Sequence, residues 1–211
     1  MNVIQVQQIT VGSMGVCCYI VSCPETKKAA IVDPGGDVRR ILAAVEKNGL
    51  TIEYIIATHG HPDHVCGNRE LQEITGAKIV MHKDDAEFFG RTEVAKYFAM
   101  LGLEASPPPD ILVEDNDTIT VGNEELQVIH TPGHTPGGVC LLNGVHLITG
   151  DTLFAGGLGR TDFPGGSQKE LLASIHNRLL ILPDDTVVWP GHGYGGNQST
   201  IGEEKRTNPF L

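Results

Sequence analysis

The sequence predicts a single β-rich domain of the sandwich or α/β kind that covers residues 1–211. Three observations predict this fold class. The length suits one such domain, which buries a large share of its surface at this size. Short β-type runs outnumber helical patterns in both halves of the chain. Most of these runs lead into loops that contain glycine or proline, so we expect the functional side chains on those loops.

The first half alternates β-type runs with turns and helical patterns. Strands are predicted at residues 3–9, 16–21, 29–32, 54–57 and 78–81. The run Asp33-Pro34-Gly35-Gly36 predicts a turn after the third of these strands. Helices are predicted from Val38 to Asn48-Gly49, from near Val65 through Ile74, and once or twice within 84–101. The fourth strand runs directly into a histidine-rich loop at 58–64.

The second half repeats this arrangement, which suggests a duplicated β-rich unit. Strands are predicted at 118–121, 125–130, 139–142, 146–149 and 186–189. Ser167 and Glu170 form a capping-box pattern before an apolar helical period that reaches Leu179. We therefore expect a helix that begins at this cap.

Charge and cysteine content exclude several classes of function. The formal net charge is -11, which disfavours binding to nucleic acid or to anionic lipid, because both need clustered Lys and Arg. The five cysteines show no CxxC spacing and predict reduced side chains rather than disulfides. The start of the chain has no basic segment before an apolar run, and no apolar run is long enough to span a membrane. We expect a soluble, cytoplasmic enzyme that acts on a small molecule.

The histidine-rich loop is the strongest indication of a metal site. His59, His61, Asp63 and His64 fall within six positions directly after an apolar strand. Zinc favours imidazole nitrogen and carboxylate oxygen as ligands. His59 and His61 can point to one metal position while Asp63 and His64 point to a second. A purely structural histidine turn rarely needs such a density of ligand groups.

Three further segments place a possible ligand next to glycine at the end of a predicted strand. They contain Gly133-His134, Gly150-Asp151 and Gly191-His192. Glycine allows the backbone to approach closely and to adopt positive φ, which suits a loop that turns a ligand inward. Each segment alone is weak, because such pairs are common in ordinary turns. Their joint occurrence after the histidine-rich loop is a strong prediction of one shared site.

On these motifs the chain resembles the metallo-β-lactamase superfamily, and within it the hydroxyacylglutathione hydrolase (glyoxalase II) group of the short bacterial type. The resemblance extends from the Asp33-Pro34-Gly35-Gly36 turn to Tyr194. It implies an αββα sandwich, an α+β fold in which two mixed β-sheets are flanked by helices. It also implies that one metal is held by His59, His61 and His134, that the other is held by Asp63, His64 and His192, and that Asp151 bridges them.

The resemblance implies a hydrolase with two divalent metal ions, with zinc expected and iron or manganese as alternatives. A bound metal lowers the pKa of water to about 7, so a hydroxide can act as the nucleophile. Asp63 and Asp151 are the expected catalytic carboxylates, and Asp63 can also steer protons. The first substrate class to test is a glutathione thioester such as S-D-lactoylglutathione.

Substrate contacts are predicted at Arg160 and Tyr194. Longer glyoxalase II enzymes add a C-terminal helical segment that helps hold glutathione, and we expect no such separate domain here. Arg160 lies where those enzymes place a basic residue, although the accompanying tyrosine is not evident in this loop. An ion pair between Arg160 and Asp162 is an equally acceptable interpretation.

Two other chemistries remain open from the sequence. The run Gly159-Arg160-Thr161-Asp162-Phe163 also resembles persulfide dioxygenases, which would need one ferrous ion held by His59, His61, His134 and Asp151. Hydrolysis of a small ester or lactone is the other alternative. Structural roles are expected for the remaining histidines and for Cys66, and Asp33 is expected to serve its turn, with a smaller chance of orienting a ligand.

Overall fold

Two six-stranded β-sheets form the centre of the protein in the computed structural model, which describes residues 4–211. The first sheet contains β1 (Gln5–Val11), β2 (Val16–Ser22), β3 (Lys28–Val32), β4 (Thr51–Ile56), β5 (Lys78–His82) and β6 (Ile111–Val113). The second contains β7 (Thr118–Val121), β8 (Glu124–His130), β9 (Val139–Asn143), β10 (His146–Gly150), β13 (Val187–Pro190) and β14 (Ser199–Thr200). A small hairpin pairs β11 (Leu153–Phe154) with β12 (Gly157–Leu158).

The first sheet keeps its strands in chain order. Strands β1 to β3 are antiparallel, whereas β3 to β6 pair in parallel. Parallel neighbours need crossover connections, which helices usually supply. The helices of this half are α1 (Val38–Lys47), α2 (Pro62–Val65), α3 (Asn68–Thr75), α4 (Lys83–Phe89) and α5 (Thr92–Ala99). Val32 lies opposite Ile56, so the loops that follow β3 and β4 leave the sheet at the same edge.

The second sheet is mostly antiparallel, in the order β14-β13-β10-β9-β8-β7. The pair β10 and β13 is its parallel exception, with Ile148 opposite Trp189. Because these two strands run in the same direction, the loops after them also meet at one edge. Each half of the chain therefore supplies one sheet, although the two sheets differ in strand direction.

Helices cover the outer faces of both sheets. One apolar core lies between the sheets and joins residues such as Tyr19 and Val32 to Val128 and Leu141. A second core packs α1 and α3 on the first sheet. A third packs α6 (Gln168–Ser174), the π-helical turn Ile175–Leu179 and α7 (Ile201–Thr207) on the second sheet. The predicted αββα sandwich is confirmed.

The observed elements differ from the predicted ones in a few places. Val3, the predicted first residue of β1, lies outside the described residues. The helix predicted from Val65 is instead the pair α2 and α3, interrupted at Gly67, whose N–H donates to the carbonyl of Pro34 at 2.8 Å. A Cβ at Gly67 would lie 2.3 Å from that oxygen, so the interruption serves this close approach. The short strands β6 and β14 and the helix α7 have no counterpart in the sequence prediction.

All five cysteines are free, and each except the partly exposed Cys66 is buried. No helix within residues 4–211 combines the length and apolar character that crossing a membrane requires.

Candidate metal centre

The predicted ligands meet at one edge of the paired sheets in two groups of three. In each group the ligand atoms lie within 4.8 Å of one another. The first group is His59, His61 and His134, and the second is Asp63, His64 and His192. All six side chains are buried.

Asp151 lies between the two groups. Its Oδ1 is 3.4 Å from Nε2 of His64, and its Oδ2 is 3.6 Å from Nε2 of both His134 and His192. One carboxylate therefore reaches a member of each group. This is the position that a bridging ligand needs.

The histidine-rich loop supplies both groups because its backbone changes conformation at His61. His61 is extended, with φ -63° and ψ 138°, and helix α2 begins at the next residue, Pro62. Proline suits this first helical position, since it has no N–H to leave unpaired. The residues before this helical turn supply His59 and His61 to the first group, and the helical turn supplies Asp63 and His64 to the second.

Glycines bring the later ligands into contact with this loop. Gly150 has φ 48°, and a Cβ there would lie 2.3 Å from the hydroxyl of Thr58. A Cβ at Gly191 would lie 2.2 Å from Oδ1 of Asp151. Side chains at either position would push the ligand loops apart, so the glycines that the sequence placed beside the ligands are sterically required.

Second hydrogen bonds fix the orientation of two ligand histidines. Nδ1 of His64 lies 3.0 Å from Oδ2 of Asp33, and the same carboxylate accepts from Thr58 N at 2.7 Å and Thr58 Oγ1 at 2.6 Å. Nδ1 of His134 donates to the backbone carbonyl of Arg160 at 2.7 Å. These bonds hold the proton on Nδ1 and leave Nε2 free to bind a metal. Asp33 thus orients a ligand as well as serving its turn.

Asp85 is a buried residue that the sequence analysis missed. Its carboxylate accepts hydrogen bonds from Gly60 N at 2.8 Å, Thr135 Oγ1 at 2.8 Å and Gly137 N at 2.6 Å. It therefore ties the histidine-rich loop to the His134 loop. Burial raises the pKa of Asp85 to about 6 despite these donors. No local pattern marks it, because it follows Asp84 in an ordinary acidic first turn of α4.

The residues present fit a pair of metal ions. The buried Nε2 of His59 and Oδ1 of Asp151 have no hydrogen-bond partner. His61 Nδ1 and His134 Nε2 are 2.9 Å apart, and the Nε2 atoms of His64 and His192 are 3.2 Å apart, close to the roughly 3.4 Å expected for two nitrogens on one tetrahedral zinc. Burial is the main cause that lowers the pKa of His59, and the neighbouring imidazoles lower it further. The pKa of His61 is also lowered, mainly by burial and then by His134. Neutral imidazole is the form that binds metal, so these two shifts favour a metal at the first group. In the second group, against the effect of burial, the carboxylates of Asp151 and Asp33 raise the pKa of His64 to about 10.

Two different surroundings flank this centre. Three aromatic rings contact the ring of His61, with centroid distances of 5.4 Å to Phe89, 5.0 Å to Phe98 and 5.6 Å to Phe163. A cavity of about 300 Å³ borders Asp151. Its lining includes Asp151, Arg160 and Tyr194. The two predicted substrate contacts thus line a cavity that reaches Asp151.

Arg160 and Tyr194 are both anchored by neighbours. The guanidinium of Arg160 donates two hydrogen bonds of 2.7 Å to Asp162 and lies 3.9 Å from the centroid of the Phe163 ring. The ring of Tyr194 stacks on His192 at 4.8 Å and 7°. The ion pair that the sequence left open is present, and it sits at the rim of the cavity.

The remaining histidines lie outside the centre. His82 and His130 stack at 4.1 Å with an angle of 14° between their rings. Nitrogen lone pairs lie in the ring planes, so two nearly parallel imidazoles cannot direct them at one ion. His146 accepts a hydrogen bond from Trp189 Nε1 at 3.2 Å, and His176 is exposed.

The stacked pair predicts a pH dependence of stability. Burial, followed by the charge of His130, lowers the pKa of His82 from 6.5 to about 4. With this lowered folded-state pKa, the stability that is fully present above pH 6.5 is lost progressively as the pH falls from 6.5 to about 4. The loss amounts to at most about 3 kcal/mol. Chemical unfolding at pH 7.5 and 4.5 should show a smaller difference for His82→Gln than for the wild type. An equal difference would contradict the assignment, and His176→Gln is the control.

A sandwich of two sheets with helices on both faces and a histidine and aspartate cluster at one edge defines a class of metal-dependent enzymes. The chain matches the family description "Metallo-beta-lactamase superfamily" over residues 12–192. The chain belongs to the metallo-beta-lactamase superfamily.

Individual relatives agree with this assignment. The chain is 37% identical over 191 residues to the hydroxyacylglutathione hydrolase GloC of Haemophilus influenzae, with 89% of each chain covered. The crystal structure of the B3 metallo-beta-lactamase BLEG-1 superposes with a TM-score of 0.89 at 33% identity, covering 98% of this chain and 99% of the other. ETHE1 from Myxococcus xanthus gives a TM-score of 0.83 at 32% identity, covering 97% and 83%.

Proposed function

We propose that the protein hydrolyses a glutathione thioester and uses two divalent metal ions, with zinc expected and iron or manganese as alternatives. The observation that carries this proposal is the cationic Arg160 at the rim of a cavity that reaches Asp151. Glutathione is anionic and the chain has a net charge of -11, so binding needs a local cation. The similarity to GloC over most of both chains supports the same substrate class.

The chain's own residues would prepare the site for this reaction. When bound, the two ions would supply a hydroxide nucleophile near neutral pH and polarise the thioester carbonyl. Burial alone would raise the pKa of Asp63. The hydrogen bond from His192 and the nearby charges of His64 and His61 outweigh burial and lower this pKa. Asp63 is therefore ionised and can accept a hydrogen bond from an attacking water. The three aromatic rings beside His61 limit the access of bulk water to the first group.

Arg160→Ala is expected to raise KM for a glutathione thioester about tenfold and to leave kcat nearly unchanged. The reason is the loss of one charge-assisted contact to the substrate, worth about 1.5 kcal/mol. The orienting bond to His134 survives, because it uses the backbone carbonyl of Arg160. Steady-state kinetics with S-D-lactoylglutathione measure both constants.

A paired variant separates the two interpretations of Arg160. Asp162→Ala removes the competing ion pair and should lower KM or leave it unchanged if the guanidinium binds substrate. Arg91→Ala is the control, since Arg91 is an exposed arginine paired with Glu87. If Arg160→Ala and Arg91→Ala give the same KM, Arg160 serves only its ion pair.

The proposal is tested by metal analysis combined with two activity assays on the same sample. About two equivalents of metal together with thioester cleavage would support the hydrolase. His134→Ala should lower both the metal content and the cleavage rate, because His134 belongs to the first group. If both values stay at the wild-type level, the proposed ligand assignment is wrong.

Oxidation of a persulfide is the second candidate, favoured by the similarity to ETHE1. His59, His61 and His134 already form one group, with Asp151 close to His134, so a single ferrous ion could be held without the second group. One equivalent of iron with oxygen uptake on glutathione persulfide, and no thioester cleavage, would assign the protein to this chemistry. Cleavage of simple esters or lactones in preference to thioesters would indicate the third alternative.

A further inference from the structure

A second cavity, of about 360 Å³, lies next to the histidine-rich loop and plays no part in the proposed contacts to glutathione. It is formed by α4, α5 and the segment 103–109, and it reaches Gly60 and Pro62 of the histidine-rich loop. We call it the apolar cavity. Its volume is within the range of cavities that bind small ligands, roughly 300–1,000 Å³.

The lining of the apolar cavity defines the chemistry of what it can bind. No lining residue carries a charge, and most are Ala, Pro, Phe or Gly. Ser106 contributes a hydroxyl, but this group donates to the Pro107 carbonyl at 2.9 Å and accepts from Asn68 Nδ2 at 2.8 Å. The hydroxyl is therefore already paired, and the cavity favours a hydrocarbon group over a polar or ionic one.

Both cavities border residues of the metal centre. Gly60 and Pro62, which line the apolar cavity, are the two neighbours of His61 in the chain. From His61 Nδ1 the path continues to His134 Nε2 at 2.9 Å and from there to Asp151 Oδ2 at 3.6 Å. Asp151 lines the Arg160 cavity, and the two cavities share no lining residue.

A thioester has the same division of chemistry. Its thiol part is the charged glutathione, and its carbonyl carbon must reach the metal centre. Its acyl chain extends from this carbon in the direction away from the sulfur. With glutathione at Arg160, the acyl group would point toward Phe89 and Phe98, whose rings contact His61 and line the apolar cavity. We infer that the apolar cavity binds the acyl group, and that the enzyme prefers medium-length aliphatic or aromatic acyl groups over the small polar lactoyl group. This inference rests on the proposed thioester hydrolysis.

The test compares the binding of two uncleavable thioethers, S-methylglutathione and S-hexylglutathione, to the metal-loaded protein by calorimetry. The two probes differ by five methylene groups, and each buried methylene strengthens binding roughly fourfold. With only part of the chain buried, we expect the hexyl probe to bind at least about tenfold more tightly. Ala95 is an exposed residue of α5 that lines the cavity. Ala95→Phe is designed to obstruct the cavity, and it should remove this preference without changing the affinity for the methyl probe.

Thr92→Phe is the matched control, because it adds the same ring to an exposed, uncharged position of α5 that does not line the cavity. Circular dichroism checks that each variant is folded, and Ala99→Leu is the milder replacement if Ala95→Phe is not. Equal affinities for the two probes in the wild type, or a preference unchanged in the filled variant, would overturn the inference. The inference would also be overturned if the filled variant changed the oligomeric mass but kept the preference for the hexyl probe. That result would make the cavity a contact between copies of the chain.

Kinetics separate this inference from the function on which it rests. We expect kcat/KM for S-hexanoylglutathione to exceed that for S-lactoylglutathione at least about tenfold in the wild type, by the same burial of methylenes. Cleavage of both thioesters at equal rates would reject the acyl preference and keep the hydrolase. A hexyl preference in binding without any cleavage would reject the hydrolase and keep the cavity as a hydrocarbon site.

Discussion

Asp151→Ala is expected to reduce thioester hydrolysis by more than about a hundredfold and to lower the metal content from two equivalents to one or fewer. Asp151 is within 3.6 Å of members of both ligand groups. Loss of a residue that only orients a ligand typically costs 10–100-fold, so loss of a ligand shared by two ions should exceed that range. The measurements are elemental analysis and kcat/KM on the same preparation.

Variants that remove a ligand from only one of the two groups test whether Asp151 serves both. Asp63→Ala affects the second group and His134→Ala affects the first, so each should leave more metal bound than Asp151→Ala does. Asp184→Ala, which removes an exposed carboxylate paired with Lys205, should change neither metal content nor activity. If Asp151→Ala retains two equivalents of metal, Asp151 does not bridge two ions.

Asp33→Ala is expected to lower the free energy of unfolding of the metal-free protein by about 3 kcal/mol or more. The fully buried carboxylate accepts from the backbone and hydroxyl of Thr58 and bonds to His64. Removing it leaves these buried donors unpaired, and each unpaired group costs about 1–3 kcal/mol. We also expect a 10–100-fold weaker affinity for the metal of the second group, because His64 loses its orienting bond.

A neighbouring aspartate, Asp37 at the start of α1, provides a close control. Asp33 and Asp37 both have positive φ, 52° and 49°, so alanine meets the same backbone strain at either position. Asp37 is exposed, and its side chain accepts one hydrogen bond, from Gly12 N at 3.0 Å. Denaturant unfolding of both variants therefore isolates the buried hydrogen bonds. Equal losses of stability in Asp33→Ala and Asp37→Ala would show that those bonds contribute little.

The family resemblance was sufficient for the sandwich, and the sequence patterns singled out side chains that the fold brings together at one edge. Apolar periodicity located most strands to within a few residues, because a half-buried or buried strand must repeat its apolar side chains in a regular way. The ligand types could be identified for a similar reason. His59, His61, Asp63 and His64 are close in the chain, and the later ligands stand beside glycines that their loops require.

Short elements at the margins of the sheets were not predictable. Strands β6 and β14 have three and two residues, too few to show a period. The split between α2 and α3 depends on the contact of Gly67 with Pro34, which joins residues from two different loops. A local pattern contains no information about such a contact.

Tertiary structure alone decided how the site is assembled. Parallel pairing of β3 with β4 and of β10 with β13 brings Asp33, the histidine-rich loop, Asp151 and His192 to one edge. The tertiary structure also places three hydrogen-bond donors from two ligand loops around the carboxylate of Asp85. It pairs Arg160 with Asp162 beside the cavity. The sequence determined which groups could bind metal, because ligand chemistry belongs to individual side chains. Their partners and the two cavities were decided by packing between segments far apart in the chain.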